Sequence, residues 1–184
     1  MAGLLGHLGR DTANPFPNNT DFLDNLMPIT MNDLTINPDG VAMNALLGEW
    51  RWAMPEPLRP VLLTAMGDAF AQGDSGAVYF IDMVNGAIKL VANDGQSFQS
   101  LLSDSQFVTD HMFPSRIVEL RNNRKNLGPK QVYSHKQPLV LGGNDDLDNV
   151  ELTDVSVHIS IHGQIHRQVK DLSDGTPIDN IKIN

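Results

Sequence analysis

Ala77-Val78-Tyr79-Phe80-Ile81-Asp82-Met83, then Val84-Asn85-Gly86, then Ala87-Ile88-Lys89-Leu90-Val91-Ala92: two runs rich in β-branched and aromatic residues flank an Asn-Gly pair. Asn-Gly supplies the positive-φ positions of a tight turn, so the segment predicts an antiparallel hairpin. Gly73-Asp74-Ser75-Gly76 just upstream is a second turn signal. Asp68–Ala92 therefore reads as a meander of two or three strands. Before it, Leu58–Ala71 is a further apolar stretch.

Downstream the period changes. Asn93–Ser97 offers capping residues for a helix whose face includes Phe98, Leu101 and Leu102. Ser105–Asn123 predicts another helix, bent or interrupted at Pro114. Arg116, Arg121, Arg124 and Lys125 around its C-terminal part form the one basic cluster, and cations there complement the helix dipole. Leu127-Gly128-Pro129 breaks the helix, Gln131–Leu141 is an extended run, and Gly142–Asp148 is a polar loop holding Asp145, Asp146 and Asp148.

Upstream, Met43–Met54 carries Leu46, Leu47, Trp50 and Met54 at helical spacing and ends at Pro55. In a helix Trp50 and Trp52 point about 200° apart, so at most one faces the core. Residues 11–40, rich in Asn, Pro, Asp and Thr, read as an irregular arm with a short helix around Asp21–Leu26 as one option. Composition shifts near Val41. The division expected is an N-terminal arm or remnant of an upstream module over 1–45 and an α+β domain over 46–184.

The hardest stretch is Val155–Val169. Apolar residues fall at Val155, Val157, Ile159, Ile161, Ile165 and Val169, with polar residues between them. That alternation favours a one-faced strand bent near Gly163, and a helix striped by Val157, Ile161, Ile165 and Val169 is the alternative. His158, His162 and His166 lie four apart. In a strand such neighbours are about 13 Å apart, too far to share one zinc with His ligands about 2 Å from the metal. They are read as a solvated polar face with Gln164, and a metal-dependent small-molecule enzyme built on the row is the competing possibility. Asp145-Asp146-Leu147-Asp148 lacks the spacing and closing Glu of a calcium loop. No GxxxxGK[ST], GxGxxG or GxSxG occurs, so no catalytic signature and no cofactor follow.

Composition narrows the classes further. The 184 residues carry a formal charge of −9, with 18 Asp against 4 Glu and no Cys. The absence of Cys excludes a disulfide scaffold, a thiolate nucleophile and Cys-ligated metal. The acidity argues against nucleic acid or an anionic membrane as direct ligand and favours a basic partner. The N-terminal MAGLLGHLGR lacks the pattern of a secretory signal, so a cytoplasmic protein is expected.

Thr64–Phe70, Gly76–Asp82, Leu90-Val91-Ala92, Leu139–Gly143, Gly163–Leu172 and Gly175-Thr176-Pro177-Ile178 together resemble the C-terminal domain of type VI secretion immunity proteins. Those proteins neutralise DNase toxins and often carry an upstream GAD-like domain. The stretch Gly76–Leu102 is also similar to the wider SUKH immunity superfamily. The resemblance implies a non-enzymatic protein that binds a cognate secreted toxin, a basic nuclease, inside the producing bacterium. Asp145, Asp146 and Asp148 are the expected acidic contacts, and His158, His162, Gln164 and His166 the expected polar platform. A scaffold or oligomerisation domain is the blander alternative.

Overall fold

A computed structural model describes residues 29–173, 175–178 and 180–183. Among these the secondary structure is α+β: six α-helices, a four-stranded antiparallel sheet and a two-stranded one. The expected meander is present and gains a strand. Order β1 (Leu58–Leu63), β2 (Ala69–Gly73), β3 (Val78–Asp82) and β4 (Ala87–Ala92) is also the spatial order. Asn85 and Gly86 turn β3 into β4, with Gly86 at φ 67° and Asp82 Oδ1 accepting the Asn85 N–H at 2.9 Å. Pro60 and a register shift in β1 fall on an edge strand, where a missing N–H is tolerated.

Both faces of this sheet are buried, and the period of two sorts its side chains. Phe70, Val78 and Phe80 join one cluster with Phe98, Met112, Ile117, Leu120 and Tyr133. Ala69, Ala71 and Ile81 join the other with Trp50, Val132, Val155 and Ile159.

The first cluster is roofed by α3 (Gly95–Leu101), α4 (Ser105–Met112) and α5 (Pro114–Asn122), all three after two short helices, α1 (Met31–Leu34) and α2 (Met43–Leu46). Asp94 caps α3 by accepting the Ser97 N–H at 2.7 Å, and Asp104 caps α4 through Gln106 and Phe107. The break expected at Pro114 is real. Phe113 sits in the left-handed region at φ 51°, ending α4, and Pro114 opens α5.

The second cluster is covered by α6 (Val155–Val169), reached from β5 (Gln131–His135) and β6 (Val150–Asp154). Here the strand expectation fails: 155–169 is helical throughout. Asp154 accepts the N–H groups of Ser156 and Val157, capping the first turn. Burial follows helical spacing, with Val155, His158, Ile159, His162 and Ile165 inside and Val157 48% exposed. Gly163 allows a close approach, because a Cβ there would lie 2.8 Å from the Glu49 side chain and 2.9 Å from the Glu49 carbonyl oxygen.

The helix expected over 43–54 is also shorter. Helical turns stop at Leu46, a 3-10 turn covers Gly48–Trp50, and a turn follows. This tighter winding brings the two tryptophans together, their rings stacked at 6.3 Å instead of pointing apart. Trp50 is wholly buried and its indole N–H donates to the Ile159 carbonyl at 2.9 Å. The extended run over 131–141 ends at His135 and closes in a 3-10 turn at Leu139–Leu141.

Residues 29–45 pack on the body. The Ala65 N–H donates to the Leu34 carbonyl at 2.8 Å, Thr35 bridges Thr64, and Arg121 pairs with Asp33 at 2.7 Å. The helix weighed over Asp21–Leu26 lies outside the described residues. Among the described residues no helix is long and apolar enough to cross a membrane.

Candidate functional site

The segment linking β1 to β2 turns at Gly67, whose φ of 94° is a glycine conformation. A Cβ at Gly67 would fall 2.3 Å from His158 Nε2, so the imidazole of α6 packs directly on this turn. The next residue, Asp68, is only 3% exposed. One of its oxygens accepts the Met83 N–H at 2.8 Å, and its other oxygen has no hydrogen-bond partner among the described residues. Burial, with Asp82 adding to it against the Met83 hydrogen bond, pushes the Asp68 carboxyl up to about 8.

Asp68 and His158 both line a cavity of about 300 Å³ between the β3–β4 hairpin, the α4–α5 junction, β5 and α6. Met66, Phe80, Phe113, Tyr133 and Leu139 supply apolar wall. On the β5 side His135 donates from Nε2 to Asp145 Oδ1 at 2.9 Å, and Arg116 reaches the same carboxylate at 3.4 Å and Glu119 at 2.6 Å. On the α4 side His111 stacks on Phe107 at 4.2 Å and stands edge-on to Phe80 at 4.8 Å. His158 Nδ1 shares a hydrogen bond with Ser134 Oγ at 2.8 Å, whereas its buried Nε2 has none among the described residues.

Two of the residues singled out in the sequence, Asp145 and His158, therefore meet at one cavity. Asp146 and Asp148 stand on the exposed loop that continues from Asp145. That loop is held by backbone contacts: Asn149 Nδ2 donates to the carbonyls of Gln137 and Asn144, and Lys136 Nζ to that of Asp148. His162, Gln164 and His166 lie elsewhere, inside α6. The expectation of a solvated polar face is wrong for all four α6 residues, since His158, His162, Gln164 and His166 are each under 10% exposed. The helix, in place of a strand, turns the row toward the sheet.

His166 donates to the Met83 carbonyl at 3.0 Å and packs under the hairpin, where a Cβ on Gly86 would come within 2.4 Å of its ring. Helical winding also shortens the row, with ring centroids 4.4 Å apart for His158–His162 and 6.1 Å for His162–His166. Burial holds the imidazole of His158 well below its usual range, that of His162 down to about 4 and that of His166 below its usual value. Among the described residues no group of three or more His, Asp or Glu is placed to hold a metal ion.

Asp68 and His135 were not singled out in the sequence, and Arg116 was read only as part of the basic cluster complementing a helix dipole. Asp68 had a signal, a lone carboxylate between Gly67 and the apolar Ala69-Phe70-Ala71.

Residues 92–166 match the family model for the T6SS immunity protein Tdi1, C-terminal. This segment is similar to a type VI secretion immunity-family C-terminal domain. It runs from the last residue of β4 into α6, so it contains Asp145 and His158 but not Asp68. It takes in Leu139–Gly143 of the resemblance read above and leaves out Thr64–Asp82 and the residues after His166. No curated relative matches the chain. Three chains of solved structures match it. One is the crystal structure of Atu4351 from Agrobacterium tumefaciens, 18% identical, with a TM-score of 0.46 over 71% of this chain and 65% of that one. This chain thus spans under two thirds of that protein's length.

Proposed function

We propose that the chain is the immunity partner of a secreted toxin, binding it stoichiometrically and neutralising it without catalysis or cofactor. The observation that carries this reading is the immunity-family match over residues 92–166. The toxin class follows from charge. A formal charge of −9 suits a basic partner, and a nuclease must present a basic groove to DNA. Occluding that groove with an acidic surface neutralises the enzyme and disfavours direct binding of nucleic acid by the immunity protein. Such a nuclease threatens the chromosome, so the protective complex belongs in the cytoplasm of the producing cell.

Within residues 46–184, taken as the toxin-binding domain with 1–45 as its arm, Asp145, Asp146 and Asp148 are the contact residues of choice. Their loop is exposed and already anchored by Asn149 and Lys136, so little ordering entropy is lost on docking. His158, His162, Gln164 and His166 act behind this surface, as buried packing of α6.

The test is co-expression with the toxin encoded beside this gene. A co-purifying complex and restored growth are expected. An active neighbouring toxin that is neither bound nor inhibited overturns the proposal.

A further inference from the structure

The larger groove beside β1, about 770 Å³, is lined by Met43, Leu47, Met54 and Leu58 with Arg51 and Arg59 exposed on it, and nothing in the structure names its occupant. The cavity over Asp68 is different, because buried polar groups on its wall lack partners. We propose that this cavity is a binding site for an organic cation, a guanidinium or primary ammonium on a short apolar stem.

Three observations converge. The volume of about 300 Å³ lies at the small end of ligand pockets, about 300–1,000 Å³, the size for a compact metabolite or one long side chain. The apolar wall, with Phe80, Phe113 and Tyr133, accepts a stem and offers aromatic faces to a cation. The second Asp68 oxygen, without a partner among the described residues, supplies an acceptor, and beside it the buried His158 Nε2, packed on the Gly67 turn, has no partner among them and donates or accepts according to its tautomer.

Charge then selects the sign. Asp145 is satisfied by Arg116 and His135. Asp82 and Asp110 also line the cavity, and among the described residues they accept hydrogen bonds only from amide groups of Asn85 and Gln106. Against these carboxylates stand Lys89, exposed at the edge of the cavity, and Arg116, whose terminal nitrogens are held by Glu119 and Asp145 and whose buried Nε has no partner among the described residues. His111 is engaged with the Phe107 carbonyl at 2.8 Å. An anion would meet Asp68 and Asp82, and a purely apolar ligand would leave Asp68 unpaired. A cation satisfies the Asp68 carboxyl. It also supplies the countercharge that Asp68 lacks, so the carboxyl gives up its proton when the ligand arrives.

The inference is independent of the toxin reading, and calorimetric titration of the purified chain tests it. The ligands are agmatine, N-acetyl-arginine methylamide and the uncharged N-butylurea. Binding is expected for at least one cation, at least about tenfold tighter than for butylurea, and about tenfold tighter at pH 9 than at pH 7 as Asp68 ionises. Asp68→Asn keeps an oxygen for the Met83 N–H, so it retains the fold while losing the cation and the pH dependence.

Agmatine binding without the blocked arginine identifies a free amine as ligand, and binding of the blocked arginine identifies a protein side chain. Butylurea binding as well as agmatine, no cation binding up to about 10 mM, or unchanged affinity in Asp68→Asn with an intact thermal transition each overturns the proposal.

Discussion

Asp68 and Gly67 are the residues on which the largest local consequences rest. The Asp68 carboxyl stands at about 8 in the folded chain against 3.8 for the ordinary group. A raised acid favours folding when protonated, so its contribution is complete below about pH 4 and is lost as pH rises to about 8. The slope is at most about 1.4 kcal/mol per pH unit. Urea unfolding between about pH 6.5 and 8, above the range in which the buried histidines titrate, is expected to show this loss, and Asp68→Asn to remove it. At Gly67 a side chain meets two obstacles, the φ of 94° and His158 Nε2 at 2.3 Å from the new Cβ. Gly67→Ala is expected to destabilise by about 1–3 kcal/mol and to shift the His158 ring resonances in an NMR spectrum. Unchanged stability and an unmoved imidazole would show that the turn does not press on α6.

Among the elements, α6 is the most consequential. Its three histidines are buried, their imidazoles all lowered, His162 to about 4. Folding therefore favours their neutral forms, with a contribution complete above about pH 6.5 and lost as pH falls through 4. This opposes the Asp68 trend, and three imidazoles against one carboxyl make stability fall on the acid side. His162→Leu is expected to shift acid unfolding, followed by circular dichroism, to lower pH.

The helix was also the element least legible in the sequence. Val155, Val157, Ile159 and Ile161 alternate as a strand would, and the helix is decided by contacts far along the chain: Trp50 on the Ile159 carbonyl, Glu49 on Gly163, Gly67 under His158. Local signals served well where the chemistry is local. Asn85-Gly86 gave the hairpin, Asp94 and Asp104 the caps, Pro114 the break between α4 and α5. Of the cavity only Asp145 and His158 stood out beforehand, because Asp68, Arg116 and His135 acquire meaning only when four elements meet.

At the scale of the whole molecule the account turns on charge and shape acting on a partner. With −9 overall and an anchored loop at Asp145–Asp148, association with a basic toxin is expected to be steered electrostatically. Raising salt from about 0.05 to 0.5 M should slow association by about tenfold or more and change dissociation little, as read by stopped-flow fluorescence. Reversing charge at Asp146 and Asp148, which take no part in the contacts of Asp145 with Arg116 and His135, is expected to slow it similarly with an unaltered melting temperature. The most direct measurement is survival of cells producing the neighbouring toxin with and without this chain, paired with purification of the two together. The account predicts a stable complex, intact chromosomal DNA and restored growth, all weakened by Asp146→Lys with Asp148→Lys. Degraded DNA and arrested growth beside abundant, folded, unbound protein would contradict it.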